Sequence, residues 1–281
     1  MVIGFLGALA LSALGLELGL RALGYADFPL YRADPVLGYV PKANSSGVFA
    51  GNRHWTFNDR GMRMEAKCQP GPDAILLLGD SLVHGGTMVD QHETLGVQIA
   101  RQTGREVCPL GAGSWALENE LSAVLQEPEY LKFGTIVLIS NSEDFVKPSI
   151  WVSEVTHPTH PPRSVLLFAA EKVFDGMWQW FFPPKKPAAS MQWIGHLDKF
   201  LASYRGGIFV VLYPKRDEIG SRATDFAPFV HRLGSRATLI EPQVRQGWNS
   251  GLYRDTIHPT PAGKKQISTI IAHALAKKAG S

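Results

Sequence analysis

The chain has 281 residues, 45% of them apolar, and a formal charge of +3. That length accommodates one large domain or two small ones, and an ordinary apolar fraction without low-complexity tracts excludes an extended disordered chain. The basic residues form no stripe, which excludes nucleic acid as a partner; the pairs in "PPKKP" (Pro183 to Pro187) and at Lys264-Lys265 read as solvated surface.

The amino terminus stands apart. From Val2 to Leu16, "VIGFLGALALSALGL" carries no charge. Fifteen helical residues span about 22 Å, short of a hydrocarbon core of roughly 30 Å. Continuing to Leu20 or Leu23 reaches across if Glu17 and Arg21 sit at an interface, and their i, i+4 spacing with the acid first favours an ion pair. A membrane anchor over 1–24 is the preferred reading. A cleaved signal peptide and a buried soluble helix are the alternatives; the apolar run has no basic residue ahead of it, as a signal peptide usually has.

Residues 25–71 are rich in Gly, Pro, Asn and Asp and read as turns with short strands at "SGVFA" and "HWTF". This lead-in is expected to pack on a main domain spanning 72–281. There, "AILLL" (Ala74 to Leu78), "TIVLIS" (Thr135 to Ser140) and "GIFVVLY" (Gly207 to Tyr213) are apolar runs of the kind buried on both faces. "EVCPL" is a weaker strand because Pro109 suits only an edge or an end, and "ATLIE" is a last strand. Helices are predicted at "TLGVQIARQT", "ALENELSAVLQ", "DFAPFVHRL" and "TPAGKKQISTIIAHALAKKA", the last with Ile267, Ile270, Ile271 and Leu275 on one face. Alternating strands and helices imply a parallel sheet covered on both sides, with ligands bound beyond the carboxyl ends of its strands. Cys68 and Cys108 have no metal-ligand spacing, and two cysteines make no framework, so isolated thiols are expected rather than a disulfide.

"GDSL" (Gly79 to Leu82) follows the first buried strand, where a site is expected, and "DTIHP" (Asp255 to Pro259) enters the terminal helix. Gly, Asp and Ser are ordinary turn residues, and an Asp or His in a loop has bland uses. Together they supply a nucleophile, a base and an acid that orients the base. His84 is a second histidine near Ser81, less suited as base because no carboxylate accompanies it. His157 and His160 resemble a metal pair, but no third ligand is evident and no metal is expected.

"GDSL" with "DTIHP" resembles the SGNH or GDSL hydrolase superfamily over roughly Pro72 to the carboxyl end. The resemblance implies an α/β, flavodoxin-like three-layer sandwich with a central parallel sheet. It further implies Ser81 as nucleophile, His258 as base, Asp255 as its partner, and the Ser81 N–H as an oxyanion donor. "ELGLR", "DPVLGYVPKAN" and "NDRGMR" before "GDS" are similar to the membrane-anchored SGNH proteins of bacteria, many of them associated with exopolysaccharide modification. In "EVCPLGAGSWA" Gly113, with Gly111 next, matches the family's oxyanion glycine. The third block departs from the family's Gly-x-Asn-Asp: the chain reads Asn141-Ser142-Glu143-Asp144, so Glu143 stands where the amide donor is expected. An ionised carboxylate donates nothing. Asn141 is the candidate substitute donor, with Glu143 turned away, protonated, or impairing the reaction.

The insertion near 145–191 carries Trp151, Trp178, Trp180, Phe181 and Phe182. It reads as a lid or cleft wall, a sugar-stacking or membrane-interface surface, or a small satellite core. The function expected is a membrane-anchored extracytoplasmic serine esterase or O-acyltransferase acting on acyl, chiefly acetyl, esters of an envelope or exported polysaccharide. It is placed in the bacterial inner membrane with the domain facing the periplasm or exterior, and polysaccharide synthesis or export proteins are candidate partners. The chemistry requires no cofactor. A non-catalytic scaffold or glycan-binding subunit of a polysaccharide-export assembly is the competing expectation, motivated by Glu143 and the anchor.

Overall fold

A computed structural model describes residues 2–182, 189–220 and 226–279; Lys185 and Lys186 of "PPKKP" lie outside the described residues. Helix α1 (Val2–Ala22) comes first, followed by two antiparallel hairpins, β1 (Tyr31–Asp34) with β2 (Gly38–Pro41) and β3 (Ser45–Phe49) with β4 (Arg53–Phe57). Then come β5 (Ile75–Gly79), α2 (Ser81–His84), α3 (Leu95–Thr103), β6 (Val107–Gly111), α4 (Leu117–Gln126) and β7 (Thr135–Ser140). The chain continues with α5 (Val165–Phe181), α6 (Trp193–Ser203), β8 (Gly207–Leu212), α7 (Phe226–Leu233), β9 (Ala237–Ile240) and α8 (Pro261–Ala279).

Strands β5 to β9 form one parallel sheet in the order β6-β5-β7-β8-β9. The apolar runs feed both faces. Leu76, Leu78, Ile136, Leu138 and Val210 pack on one side with α4, α6 and α7. Ile75, Leu77, Val137, Ile139 and Val211 pack on the other with α3 and α8, through Ile99, Ile267, Ile271 and Leu275. This is the α/β sandwich predicted, in the doubly wound 2-1-3-4-5 order. Pro109 lies in β6, at the sheet edge where its missing N–H costs least.

Two expectations are corrected. Cys68 and Cys108 are not isolated thiols: they form a disulfide with Cα atoms 5.7 Å apart. The last stretch of the lead-in runs beside edge strand β6, a juxtaposition that spacing in sequence does not reveal. Lys264 is not solvated; it is 5% exposed, and its ammonium lies 3.6 Å from Glu93.

The lead-in is tied into the sandwich by polar groups. The Trp115 indole donates to the Tyr39 carbonyl at 3.0 Å, and the Asn119 amide to the Leu37 carbonyl at 3.2 Å. Arg63, within "NDRGMR", is buried and donates to the carbonyls of His84 (2.9 Å) and Val89 (2.5 Å) and to that of Gly86. A charged donor shared among three carbonyls satisfies a loop that would otherwise bury unpaired acceptors. That loop directly follows α2, so the lead-in braces the segment that begins at Ser81.

Glu17 and Arg21 do form the ion pair, at 2.6 Å, and they also reach across the chain. Glu17 accepts from the N–H groups of Val165 (2.9 Å) and Leu166 (3.0 Å) and from the Ser164 hydroxyl (2.9 Å), while Arg21 donates to the Pro162 and Arg163 carbonyls. A carboxylate on the free N–H groups of a helix start is favourable in both hydrogen bonding and field. Trp178, Trp180, Phe181 and Phe182 are exposed and form no satellite core.

Candidate active site

The switch point of a 2-1-3-4-5 sheet lies between β5 and β7, where successive connections leave toward opposite faces. Ser81 follows β5 and Asn141 follows β7, so both stand at its mouth. The turn after β5 is tight: a Cβ on Gly79 would meet Val83 Cγ2 at 2.7 Å. Asp80 caps α2 by accepting from the Leu82 N–H at 2.9 Å, which leaves the Ser81 N–H as an open donor at a helix start.

His258 and Asp255 arrive from the loop before α8. The Ser81 hydroxyl lies 3.0 Å from His258 Nε2, and His258 Nδ1 lies 2.9 Å from Asp255 Oδ2 and 3.0 Å from Oδ1. The loop is self-bracing: Asp255 Oδ1 also accepts from the Ile257 N–H (3.0 Å) and the His258 N–H (2.7 Å). Burial raises the Asp255 carboxyl, but those two N–H bonds and the imidazole outweigh it and hold the group below its ordinary range. An ionised Asp255 fixes Nδ1 as the protonated nitrogen and turns Nε2 toward Ser81 as an acceptor. The hydroxyl, the imidazole and the carboxylate are thus joined in series across 177 residues of chain.

These groups open on a cleft of about 870 Å³. Its walls include Ser114, Trp115, Phe145, Met191, Trp193, Lys215 and Ile257. Both ends of the insertion contribute, and Val146 bridges to Ala189 there.

The remaining predicted residues fall in different places. Gly111 pairs with Gly79 inside the sheet, and a Cβ on it would sit 2.2 Å from the Gly79 carbonyl oxygen, so it is a packing glycine. Gly113 stands just behind the wall, where its carbonyl accepts from the Tyr39 hydroxyl at 2.6 Å, and Ser114, at φ +63°, forms the wall itself. Asn141 is buried in the cleft floor. Its amide donates to Asp144 Oδ1 at 2.7 Å and, more weakly, to Asp80 Oδ2 at 3.4 Å. His84 is not a cleft residue: it stacks between Tyr31 and Phe57 of the lead-in and accepts from the Gly86 N–H. Burial and the neighbouring Arg63 depress its imidazole to about 3, which keeps it neutral. His157 stacks on Tyr39, and His160 lies 3.2 Å from Glu154.

Glu143 sits at the rim with a side chain 68% exposed, paired to Lys215 at 3.2 Å. Its charge is met by an ammonium and by water rather than aimed at Ser81. Glu143→Gln is therefore expected to leave turnover on a small acyl ester within about twofold, since exposed pairs contribute little. Asn141→Ala is expected to lower turnover about 10²-fold if its amide takes part in the transition state. Steady-state kinetics on both variants check this pair, and a large loss in Glu143→Gln alone would reverse the assignment.

Three acids buried near the cleft floor had no signal in the sequence. Asp80 is pushed up to about 6 by burial. Glu120 and Asp144 are raised well above the ordinary range, by burial first and then by neighbouring acids. Like charges so placed cannot all ionise. Proximity created the cluster, and no local pattern encodes it.

No family profile and no curated protein sequence matches the chain. Solved structures similar to it include a carbohydrate esterase family 2 enzyme with a carbohydrate-binding domain from Corynascus thermopiles (Myceliophthora fergusii). The identity is 14% over 78% of this chain and 70% of that one, at a TM-score of 0.43. A lipolytic protein of the G-D-S-L family from Desulfitobacterium hafniense is similar at 11% identity, over 72% of this chain and 98% of that one, also with a TM-score of 0.43. The esterase EstA from Pseudoalteromonas is similar at 13% identity, covering 74% and 100% respectively, at 0.43.

Proposed function

We propose that the protein is an SGNH-type serine esterase or O-acyltransferase, held at a membrane by α1 and acting on acyl esters of a glycan outside the cytoplasm. The observation that carries the proposal is the hydrogen-bonded series Ser81–His258–Asp255 at the mouth of β5.

In this reaction the Ser81 oxygen attacks the ester carbonyl while His258 Nε2 takes the hydroxyl proton. Asp255 stabilises the imidazolium that results and stays ionised. The carbonyl oxygen becomes an oxyanion met by the Ser81 N–H, by the Gly113 N–H and by the Asn141 amide. Of the two Asn141 amide hydrogens, the one reaching only weakly to Asp80 is the one free to turn to substrate. His258 then returns its proton to the departing alcohol, leaving an acyl-Ser81 ester. Water or a sugar hydroxyl, deprotonated in turn by His258, attacks the acyl carbon; the bond from that carbon to the Ser81 oxygen breaks, and His258 returns the proton to Ser81.

Placement outside the cytoplasm is supported by the Cys68–Cys108 disulfide, since such bonds persist in oxidising compartments. Among the described residues one helix, over Gly4–Ala22, is long and apolar enough to cross a membrane. A glycan substrate is supported by the open cleft, whose lining carries the polar side chains of Ser114, Ser142, Ser149 and Lys215.

The test is the acetyl content of exported polysaccharide from cells with the protein, without it, and with Ser81→Ala. Loss of acetyl on deletion assigns transfer and gain assigns hydrolysis, and in either case Ser81→Ala should match the deletion. No change in any glycan fraction would remove the proposed substrate class.

A further inference from the structure

Helix α5 carries an apolar face that none of the described residues covers. Leu167, Ala170, Phe174, Met177 and Phe181 recur at intervals of three and four, so they line one side of the helix. The large ones are 53–67% exposed. Lys172 lies on the opposite side and Asp175 on the flank, while Glu171 borders the apolar face beside Leu167 and Phe174. At the carboxyl end Trp178 and Trp180 are 55% and 77% exposed, and the aromatic rings there contact one another: Trp178 with Phe182 at 4.5 Å, Trp180 with Phe181 at 4.7 Å. A soluble surface rarely leaves an apolar patch of this size in water.

The start of α5 is clipped to α1. Glu17 accepts from Ser164, Val165 and Leu166, and it lies only five residues before the end of α1 at Ala22. The preceding apolar residues are exposed along the helix from Gly4. A bilayer that receives them must reach the neighbourhood of Glu17, and so the neighbourhood of α5. A helix about 25 Å long with an exposed apolar face and Trp at one end matches an interfacial element, because Trp rings settle where apolar tails meet headgroups.

We infer that α5 is a second membrane element, its apolar face seated in the interface of the bilayer that α1 enters. Two contacts joined by the Glu17 clip fix the orientation of the domain as a single span could not. The insertion that carries α5 also walls the cleft at Phe145, Val146, Ala189 and Met191, so the cleft is held close to the lipid surface. The inference rests on α1 entering the membrane.

Tryptophan fluorescence isolates the feature. Helix α1 has no Trp; Trp55, Trp115, Trp193 and Trp248 are buried and Trp151 is half-buried. Full-length protein is reconstituted in phosphatidylcholine–phosphatidylglycerol vesicles whose lipids are brominated in the upper half of the acyl chain. The emission contributed by Trp178 and Trp180, taken as the difference from W178F/W180F, is expected to fall roughly by half in brominated lipid. W178F/W180F itself should lose the quenchable component and retain wild-type turnover. Carbonate extraction on the same vesicles reports α1 separately. Carbonate-resistant protein with unquenched Trp178 and Trp180 overturns the seating of α5 and leaves the anchor standing. Release by carbonate overturns both. Quenching that persists in W178F/W180F, or a blue-shifted emission that depends on protein density and not on lipid, also overturns it, the latter by assigning the face to a second copy.

Discussion

Ser81→Ala is expected to lower acyl-ester turnover by about 10⁴-fold or more while leaving the fold intact. The hydroxyl is the atom that would form the covalent intermediate, and loss of a nucleophile removes the whole benefit of its base and orienting acid. The residual rate reports only binding and the oxyanion donors. Stability should move by no more than about 0.5 kcal/mol, because a half-buried hydroxyl is removed and no apolar volume is lost. The readout is labelling by a serine-directed fluorophosphonate beside kinetics on a small acyl ester. Wild type should label and Ser81→Ala should not. Equal labelling of the two, or a wild type inert under conditions that label an active serine esterase, would favour the non-catalytic scaffold that Glu143 and the anchor suggested. The position of Glu143 against Lys215 weakens that alternative, since the carboxylate does not oppose the developing oxyanion.

The largest effect on stability is expected from the disulfide. Cys68 and Cys108 are 40 residues apart, and the loop they close contains β5, α2, α3 and Ser81 itself. Closing a loop of that length restricts the unfolded chain by about 4 kcal/mol at 25 °C in the chain-entropy account. Cys68→Ala/Cys108→Ala should therefore lower the melting temperature by roughly 10 °C for a chain of this size. Reductant should reproduce the shift in wild type and add nothing in the double variant. The measurement is a thermal melt of full-length protein in detergent, read at several scan rates. A double variant melting within about 2 °C of wild type would mean that burial of the lead-in, and not the cross-link, holds the edge of the sheet.

The architecture was legible because its signals are local. "AILLL", "TIVLIS" and "GIFVVLY" are apolar without alternation, which only a strand covered on both faces requires, and the structure buries them that way. The helix patterns at Leu95–Thr103, Leu117–Gln126 and Pro261–Ala279 were equally plain. "GDSL" and "DTIHP" named the residues that the fold brings within hydrogen-bond reach, because a loop at each end of the domain carried an unusual grouping of reactive side chains.

Contacts between distant segments were decided by the tertiary structure alone. The spacing of Cys68 and Cys108 gave no reason to join them; the path of the lead-in along the edge strand did. Glu17 read as half of an ion pair with Arg21, and only packing showed it holding the start of α5. His84, three residues after Ser81, is close in sequence yet stacked away from the cleft, whereas His258 is far in sequence and 3.0 Å from the hydroxyl. Asn141 and Glu143, two residues apart, were separated into a buried floor and a solvated rim. The physical reason is common to all of these. Periodicity reports which side of an element must leave water, and that is fixed within a few residues of chain. Which polar group then meets which depends on the positions of elements a hundred or more residues apart, and no local pattern contains those positions.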